Sequence, residues 1–263
     1  MKILFFGDIC GKTGRLALQK VLPNLIEKYS PDFIIANGEN ATNGKGINEN
    51  AYNFLIGLGI DCLTTGDHAF DVKETEELIA KKDIKLIRPL NYPENKNIPG
   101  QGFLILEKKG KKLAVINLQG RVFMGEGLDN PFNVVDNLLK EKTFANLPTL
   151  VDFHTEATSE IGAMGWFLDG RVSAVLGTHT HIQTSDNKIL PNGTGFISDV
   201  GMCGALNSVL GVKRDIVINR FQTGMKTKFE VADFPAIING VFLDLENNKT
   251  KNIQSVSVVI EKN

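Results

Sequence analysis

The sequence predicts an α/β fold in which two packed, mixed β-sheets are flanked by helices. Short apolar runs rich in β-branched residues alternate with segments whose apolar residues recur at helical spacing. This order is typical of sheets with parallel strands and crossover helices. A second group of strands and helices follows without a linker, internal repeat or low-complexity tract. We therefore expect residues 1–263 to form a single domain.

The first part of the chain shows the clearest alternation of strands and helices. The expected strands cover residues 2–6, 32–37, 61–64 and a short stretch near 84–87. The expected helices cover residues 15–29, 48–58 and 73–80. In a sheet of parallel strands, ligands sit beyond the carboxyl ends of the strands, so the loops that follow these strands are the first places to search for a site.

The second part of the chain contains more strands than helices. Strands are expected at 102–107, 112–118, 149–153, 172–176, 195–198, 237–245 and 253–260, and helices at 133–142 and 159–169. Irregular backbone is expected at 89–102, 119–131 and 201–211, and an arginine- and lysine-bearing segment at 213–223. The first two of these strands form a hairpin around a lysine-rich turn that suggests no chemistry of its own.

Composition places the chain among soluble globular proteins. Of its 263 residues 42% are hydrophobic and 22% charged, and its formal net charge of −1 predicts no attraction to nucleic acid or anionic membranes. The three cysteines are widely spaced, which predicts free thiols in a reducing compartment. No apolar run approaches the roughly 20 residues of a membrane span, and the N-terminus lacks a signal-type segment. We expect a cytoplasmic protein without a membrane partner.

Carboxylates, an amide and all four histidines of the chain follow predicted strands. They are Asp8, Glu39, Asn40, Asp67, His68, His154, His179 and His181. Each alone has an ordinary explanation as a turn, cap or core residue. Together they offer oxygen and imidazole ligands at five strand ends, a set that suits a pair of Fe, Mn or Zn ions. Such a pair stabilises the attacking and leaving oxygens of phosphoryl transfer. We therefore expect a dinuclear hydrolase site, with His68 as an unligated general acid.

The segment 177–181, Gly-Thr-His-Thr-His, is the part of the site that the other segments are expected to surround. It follows the buried strand predicted at 172–176. In extended backbone, side chains two residues apart point to the same side of the strand. His179 and His181 are therefore expected to form a paired metal clamp.

These segments resemble the calcineurin-like metallophosphoesterases. The pattern of that family is Gly-Asp, Gly-Asp/Glu, Gly-Asn-His, a lone His and Gly-His-x-His. The corresponding positions here are 7–8, 38–40, 66–68, 154 and 177–181. More narrowly, the chain is similar to the YmdB-like branch of bacterial cyclic-nucleotide phosphodiesterases. That branch shares Gly-Glu-Asn in the second loop, Asp-Phe-His-x-Glu-x-Thr-Ser-Glu at 152–160 and Asp-Val-Gly-Met at 199–202.

The resemblance implies a four-layer α-β-β-α fold and a metal-dependent phosphoric diester hydrolase. Its substrates would be 2′,3′-cyclic nucleotides such as 2′,3′-cyclic AMP, or related phosphodiesters including RNA ends. Two metal ions are implied, with iron foremost and manganese or zinc as alternatives. Asp8, Glu39, Asn40 and His181 would hold one ion, and Glu39, Asp67, His154 and His179 the other. A metal-bound hydroxide would attack phosphorus, and His68 would give a proton to the leaving group. Relatives also suggest a homo-oligomer.

Asp67 departs from the family pattern, which has Asn at this position. The extra negative charge is expected to make bound water less acidic and to weaken attraction for a phosphate. This departure keeps a second interpretation open, a metal-binding regulatory or interaction protein with weak or vestigial catalysis. Among enzymes, a phosphomonoesterase or a nuclease also stays open. The loops at 43–48, 120–132 and 202–213 are the candidates for shaping a substrate pocket.

Overall fold

The computed structural model describes residues 1–93, 97–125 and 127–261, and within them the strands form two mixed β-sheets. The strands are β1 (Lys2–Phe6), β2 (Phe33–Asn37), β3 (Cys62–Thr64), β4 (Phe103–Lys108), β5 (Lys111–Gln119), β6 (Thr149–His154), β7 (Ala174–Thr178), β8 (Lys188–Ile189), β9 (Gly195–Ile197), β10 (Cys203–Ala205), β11 (Ala236–Glu246) and β12 (Lys249–Ile260). The helices are α1 (Gly11–Tyr29), α2 (Glu49–Gly57), α3 (Lys73–Ile79), α4 (Pro131–Leu139), α5 (Thr158–Leu168) and α6 (Arg214–Thr223), with a 3₁₀ turn at Lys142–Phe144.

Both sheets combine parallel and antiparallel strands. The first sheet has the order β10-β11-β1-β2-β3, with β12 also paired to β11. Its strands β1, β2 and β3 run parallel, whereas β11 is antiparallel to β1, β10 and β12. The second sheet has the order β4-β5-β6-β7-β9-β8, with β5, β6, β7 and β9 parallel. The strands β4 and β8 pair antiparallel at its two edges.

Successive side chains of each strand point to opposite faces of its sheet, and this alternation produces the four layers. In β1, Ile3 and Phe5 belong to an apolar cluster that also contains Val115 of the second sheet, so this cluster lies between the sheets. Leu4 and Phe6 point to the other face and pack with residues of α1, α2 and α3. On the outer face of the second sheet, strand residues pack against α4 and α5. The predicted α-β-β-α order is confirmed.

Some sequence expectations about single elements were wrong. The stretch at 84–87 is not a strand: its pairing with β3 consists of one isolated parallel bridge between Leu63 and Leu86. The irregular segment at 201–211 contains β10. The basic segment at 213–223 is the helix α6, which the pattern could not reveal because Val217 is its only buried residue.

Parts of two predicted connections, 89–102 and 119–131, lie outside the described residues at positions 94–96 and 126. The single-domain organisation of residues 1–263 stays a prediction. Among the helices in the described ranges, none is long and apolar enough to cross a membrane.

The carboxyl ends of strands from both sheets meet at one edge of the molecule. Gly66, in the loop after β3, shows how closely they approach. A Cβ atom at this position would lie 2.2 Å from His154 Cδ2 of the second sheet and 2.4 Å from Glu39 Oε2 of the loop after β2. Only glycine allows the loop to pass this point, and the approach brings side chains from both sheets into one site.

Candidate metal centre

Four of the predicted ligands form a compact group. One ligand atom from each of Glu39, Asp67, His154 and His179 lies within 4.8 Å of the others. His154 Nε2 is central, at 2.9 Å from Asp67 Oδ1, 3.1 Å from Glu39 Oε1 and 3.1 Å from His179 Nδ1. Glu39 and His154 are buried. Two carboxylates and two imidazoles around one point are a donor set that suits Mn, Fe or Zn.

Asn40 and His181 form a second cluster of acceptors beside this group. The side-chain amide of Asn40 donates to the Gly44 carbonyl at 3.0 Å, which directs Oδ1 toward His181 Nε2 at 3.3 Å. His181 Nδ1 lies 3.0 Å from the Leu210 carbonyl, which can only accept. In the neutral imidazole the proton is therefore on Nδ1, and two acceptors, Nε2 and Oδ1, face each other. Such a pair fits a shared cation.

Asp8 contributes a buried carboxylate with an unused oxygen. Its Oδ2 accepts from the backbone N–H of His179 at 3.2 Å. Its Oδ1 is buried and makes no hydrogen bond with any described residue. It lies 3.8 Å from His154 Nδ1. A buried carboxylate oxygen without a donor is costly, and a bound cation would remove that cost.

The expectation that His179 and His181 lie on extended backbone was wrong, and their pairing as metal ligands stays a prediction. β7 ends at Thr178, and the φ angles of His179 and His181 are +111° and +66°. Between them, the backbone N–H and the hydroxyl of Thr180 both donate to Asp199 Oδ2 at 2.8 Å, which holds this turn in place. Burial and the nearby Asp8 raise the pKa of Asp199 to about 7. With this turn between them, His179 Nδ1 lies beside His154, whereas His181 Nε2 lies beside Asn40.

His68 lies beside the ligand group without joining it. Its ring Nδ1 is 2.9 Å from Asp71 Oδ2 and 3.7 Å from Asp67 Oδ2. Asp71 also forms an ion pair with Lys45 at 2.9 Å. The backbone N–H of His68 donates to Glu39 Oε2 at 3.3 Å. This placement agrees with an unligated histidine at the rim of the site, and its role as an acid stays a prediction.

Charges within the ligand group perturb each other strongly. Burial would lower the pKa of His154, but the Glu39 carboxylate and the hydrogen bond that the ring donates to Asp67 outweigh it and raise that pKa well above 6.5. Burial would raise the pKa of Asp67, but hydrogen bonds accepted from His154 and His179 hold that pKa well below its ordinary range. In the absence of cations, imidazole protons therefore balance the carboxylates.

Sequence reasoning missed the two residues that orient His154. Asp152 is fully buried, and its carboxylate accepts from the hydroxyl of Thr178 at 2.7 Å, from the amide of Asn37 at 3.2 Å and from the hydroxyl of Thr64. Thr178 Oγ1 also lies 2.9 Å from His154 Nδ1. An acidic residue inside an otherwise apolar strand was the available signal for Asp152. The hydroxyl of Thr178 left no signal because threonine is common in strands.

If Nε2 of His154 binds a cation, the hydrogen bonds that link His154, Thr178 and Asp152 can run in only one direction. The imidazole Nδ1–H then donates a hydrogen bond to the Thr178 hydroxyl, and that hydroxyl donates to the Asp152 carboxylate. Burial raises the pKa of Asp152 to about 7, so the hydroxyl and amide donors around it matter for keeping it ionised. A histidine held in this way points its lone pair at the metal position.

Comparisons with known proteins agree with this geometry. The sequence model of the family described as YmdB-like protein matches residues 4–257. A Bacillus subtilis (strain 168) protein named 2′,3′-cyclic-nucleotide 2′-phosphodiesterase is 45% identical, over 99% of this chain and 97% of the relative. A structure described as a novel phosphatase from Mycoplasma pneumoniae is 36% identical with a TM-score of 0.90, covering 99% of this chain and 94% of that one. The B. subtilis calcineurin-like phosphoesterase YfkN, 11% identical with a TM-score of 0.59, covering 99% and 90%, shares the fold.

Replacing Thr178 with valine keeps the side-chain shape and removes the hydroxyl between Asp152 and His154. We expect affinity for Mn²⁺ to fall about 10–100-fold, which is the usual effect of removing a partner that orients a ligand histidine. Calorimetric titration of metal-free protein measures this affinity, and thermal unfolding checks that the variant folds. Thr178→Ser retains the hydroxyl and is the matched control. Equal affinities for wild type, Thr178→Val and Thr178→Ser would contradict the orienting role.

Proposed function

The chain belongs to the YmdB-like protein family, and on this premise we propose that it is a metal-dependent hydrolase of phosphoric diesters that acts on 2′,3′-cyclic nucleotides. The observation that carries the proposal is the convergence of Glu39, Asp67, His154 and His179 at the edge shared by both sheets. The similarity to the B. subtilis 2′,3′-cyclic-nucleotide 2′-phosphodiesterase supports the substrate class. RNA ends as substrates, a homo-oligomer and a cytoplasmic location stay predictions.

We assign two cations to the site. Asp8, Glu39, Asn40 and His181 would hold one, and Glu39, Asp67, His154 and His179 would hold the other. The unused oxygen of Asp8 and the facing acceptors of Asn40 and His181 support the first position. The compact ligand group supports the second. Iron is the first candidate, with manganese or zinc as alternatives. Cations held in this way lower the pKa of a coordinated water and neutralise charge on the phosphate.

His68 is the proposed general acid. Its bond from Nδ1 to Asp71 fixes one ring nitrogen, which leaves Nε2 free to give a proton to the ribose oxygen that leaves phosphorus. The backbone contact to Glu39 keeps the histidine next to the ligand group. Asp71 is thereby a positioning residue rather than a group that touches substrate.

One observation keeps the second candidate function under consideration. The Asp67 carboxylate lies 2.9 Å from His154 Nε2 and 3.4 Å from His179 Nδ1, so a negative charge stands where the family has a neutral amide. A site with an added negative charge repels the phosphate of a substrate. A metal-binding regulatory protein with weak catalysis would tolerate this charge, whereas an efficient enzyme must compensate for it.

Hydrolysis of 2′,3′-cyclic AMP tests the proposed reaction. We expect turnover by protein purified without chelator, loss of turnover after chelation, and recovery on adding Mn²⁺, because the carboxylates and imidazoles need cations to bind a phosphate. Metal content is measured in the same samples. An inactive protein with about two bound metals per chain would contradict the substrate class. An inactive protein that binds no metal would contradict the site itself.

Replacing His68 with alanine should lower kcat for 2′,3′-cyclic AMP by about 10²–10⁴-fold, the usual contribution of a general acid. Metal content should stay unchanged because the ring lies outside the ligand group. The deciding control is bis(p-nitrophenyl) phosphate, whose leaving group needs no protonation. With this substrate the variant should lose far less activity. Equal losses on both substrates would show that His68 serves structure or binding rather than proton transfer.

Replacing Asp67 with asparagine restores the amide of the family pattern and removes one negative charge. We expect kcat/KM to rise on the order of tenfold, which corresponds to about 1.4 kcal/mol less repulsion of the phosphate. Steady-state kinetics at matched metal occupancy measure the change. A fall in activity together with metal loss would mean that the carboxylate is needed as a ligand. Absence of activity in both proteins would favour the regulatory function.

A further inference from the structure

We propose that Phe123 is a stacking platform for the nucleobase of the substrate, an inference that rests on the proposed phosphodiesterase function. Phe123 is 87% exposed, the highest value among the large hydrophobic residues in the described ranges. Exposing an aromatic ring to water is unfavourable unless a partner covers it. Aromatic faces are the usual sites on which single nucleobases stack.

The residues on both sides of Phe123 in the sequence are fixed by contacts with the rest of the protein. On one side, the Glu160 carboxylate accepts the backbone N–H groups of Arg121 at 3.0 Å and of Val122 at 3.2 Å. On the other side, Met124 is buried, and its sulfur lies 3.3 Å from the backbone N–H of Glu156. Phe123 itself has a φ angle of +64°, which non-glycine residues seldom adopt. The ring is therefore presented by an anchored turn.

The same anchors connect Phe123 to the ligand group. The backbone N–H of Gly120 donates to the carbonyl of the ligand His154 at 2.8 Å. Glu156, which contacts Met124, places its carboxylate oxygen Oε2 3.1 Å from Nε2 of His179. His179 thus faces the ligand group through Nδ1 and faces the Phe123 turn through Nε2 and Glu156. A nucleotide whose phosphate lies at the ligand group has this turn as its wall on the His179 side.

The loop beside His181 offers a different surface. On the side of His181, the carbonyl of Leu210 bonds to the imidazole, and its side chain is 45% exposed. A branched aliphatic chain has no flat π-face, so it cannot supply the stacking that Phe123 can. We therefore place the base on the Phe123 side. Because stacking strengthens with the size of the ring system, purine substrates should gain more than pyrimidines.

The test compares Phe123→Ala with wild type on three substrates: 2′,3′-cyclic AMP, 2′,3′-cyclic CMP and the base-free methyl riboside 2′,3′-cyclic phosphate. We expect KM for the adenine substrate to rise about tenfold, a typical value for loss of one stacked base. KM for the cytosine substrate should rise less, and KM for the base-free substrate should stay the same. Phe123→Trp should retain a low KM. Phe221→Ala is the matched control, since Phe221 is 85% exposed on α6 and should leave all three substrates unaffected.

Each failure has its own pattern. Wild-type protein that turns over none of the substrates overturns the proposed function and the platform with it. Normal wild-type turnover with an unchanged KM in Phe123→Ala overturns the platform alone. An equal loss on the base-free substrate would mean that the turn supports the ligand group instead of the base. A rise in KM for the adenine substrate in Leu210→Ala, but not in Phe123→Ala, would place the base on the His181 side instead.

Discussion

The carboxylate of Asp152 bonds the two sheets together at the edge where the candidate metal centre lies. It belongs to β6 of the second sheet, and it accepts hydrogen bonds from Asn37 and Thr64 of the first. Its third partner, Thr178, is next to His179 and in contact with His154. A buried carboxylate is stable only with a full set of donors, so its position is tightly specified. The candidate ligands in and after these strands are therefore held in well-defined positions.

At this edge the fold gathers more acceptors than donors. Among the described residues, Asp8 keeps an oxygen without a donor, Asn40 and His181 turn lone pairs toward each other, and Glu39 and Asp67 both contact Nε2 of the buried His154 imidazole. By contrast, the Asp61 carboxylate faces the ammonium group of Lys108 at 2.9 Å. An excess of acceptors at one place disfavours the folded chain on its own. It becomes favourable when cations supply the missing positive charge.

Much of this arrangement follows from sequence pattern, and the remainder depends on tertiary contacts. The positions of Asp8, Glu39, Asp67 and His154 follow from the sequence pattern. Each residue lies at or shortly after the carboxyl end of an apolar strand, which is where ligands bind in such sheets. The divergence of His179 and His181 does not follow from the pattern, since it arises from the bonds of Thr180 to a distant aspartate, Asp199. Nor does α6, in which Val217 is the only buried residue, so that no apolar stripe marks the helix. Local pattern thus predicts which residues reach the edge, and long-range hydrogen bonds decide where their side chains point.

The distance along the chain between Asn40 and His181 has a further consequence. Their side chains lie 3.3 Å apart although 141 positions separate them in sequence. An ion that both residues bind would act as a reversible cross-link, closing a long loop that the unfolded chain would otherwise leave open. Closing a loop of this length removes much conformational freedom from the unfolded ensemble. Metal supply would then influence how long each molecule survives proteolysis, in addition to whether it turns over substrate.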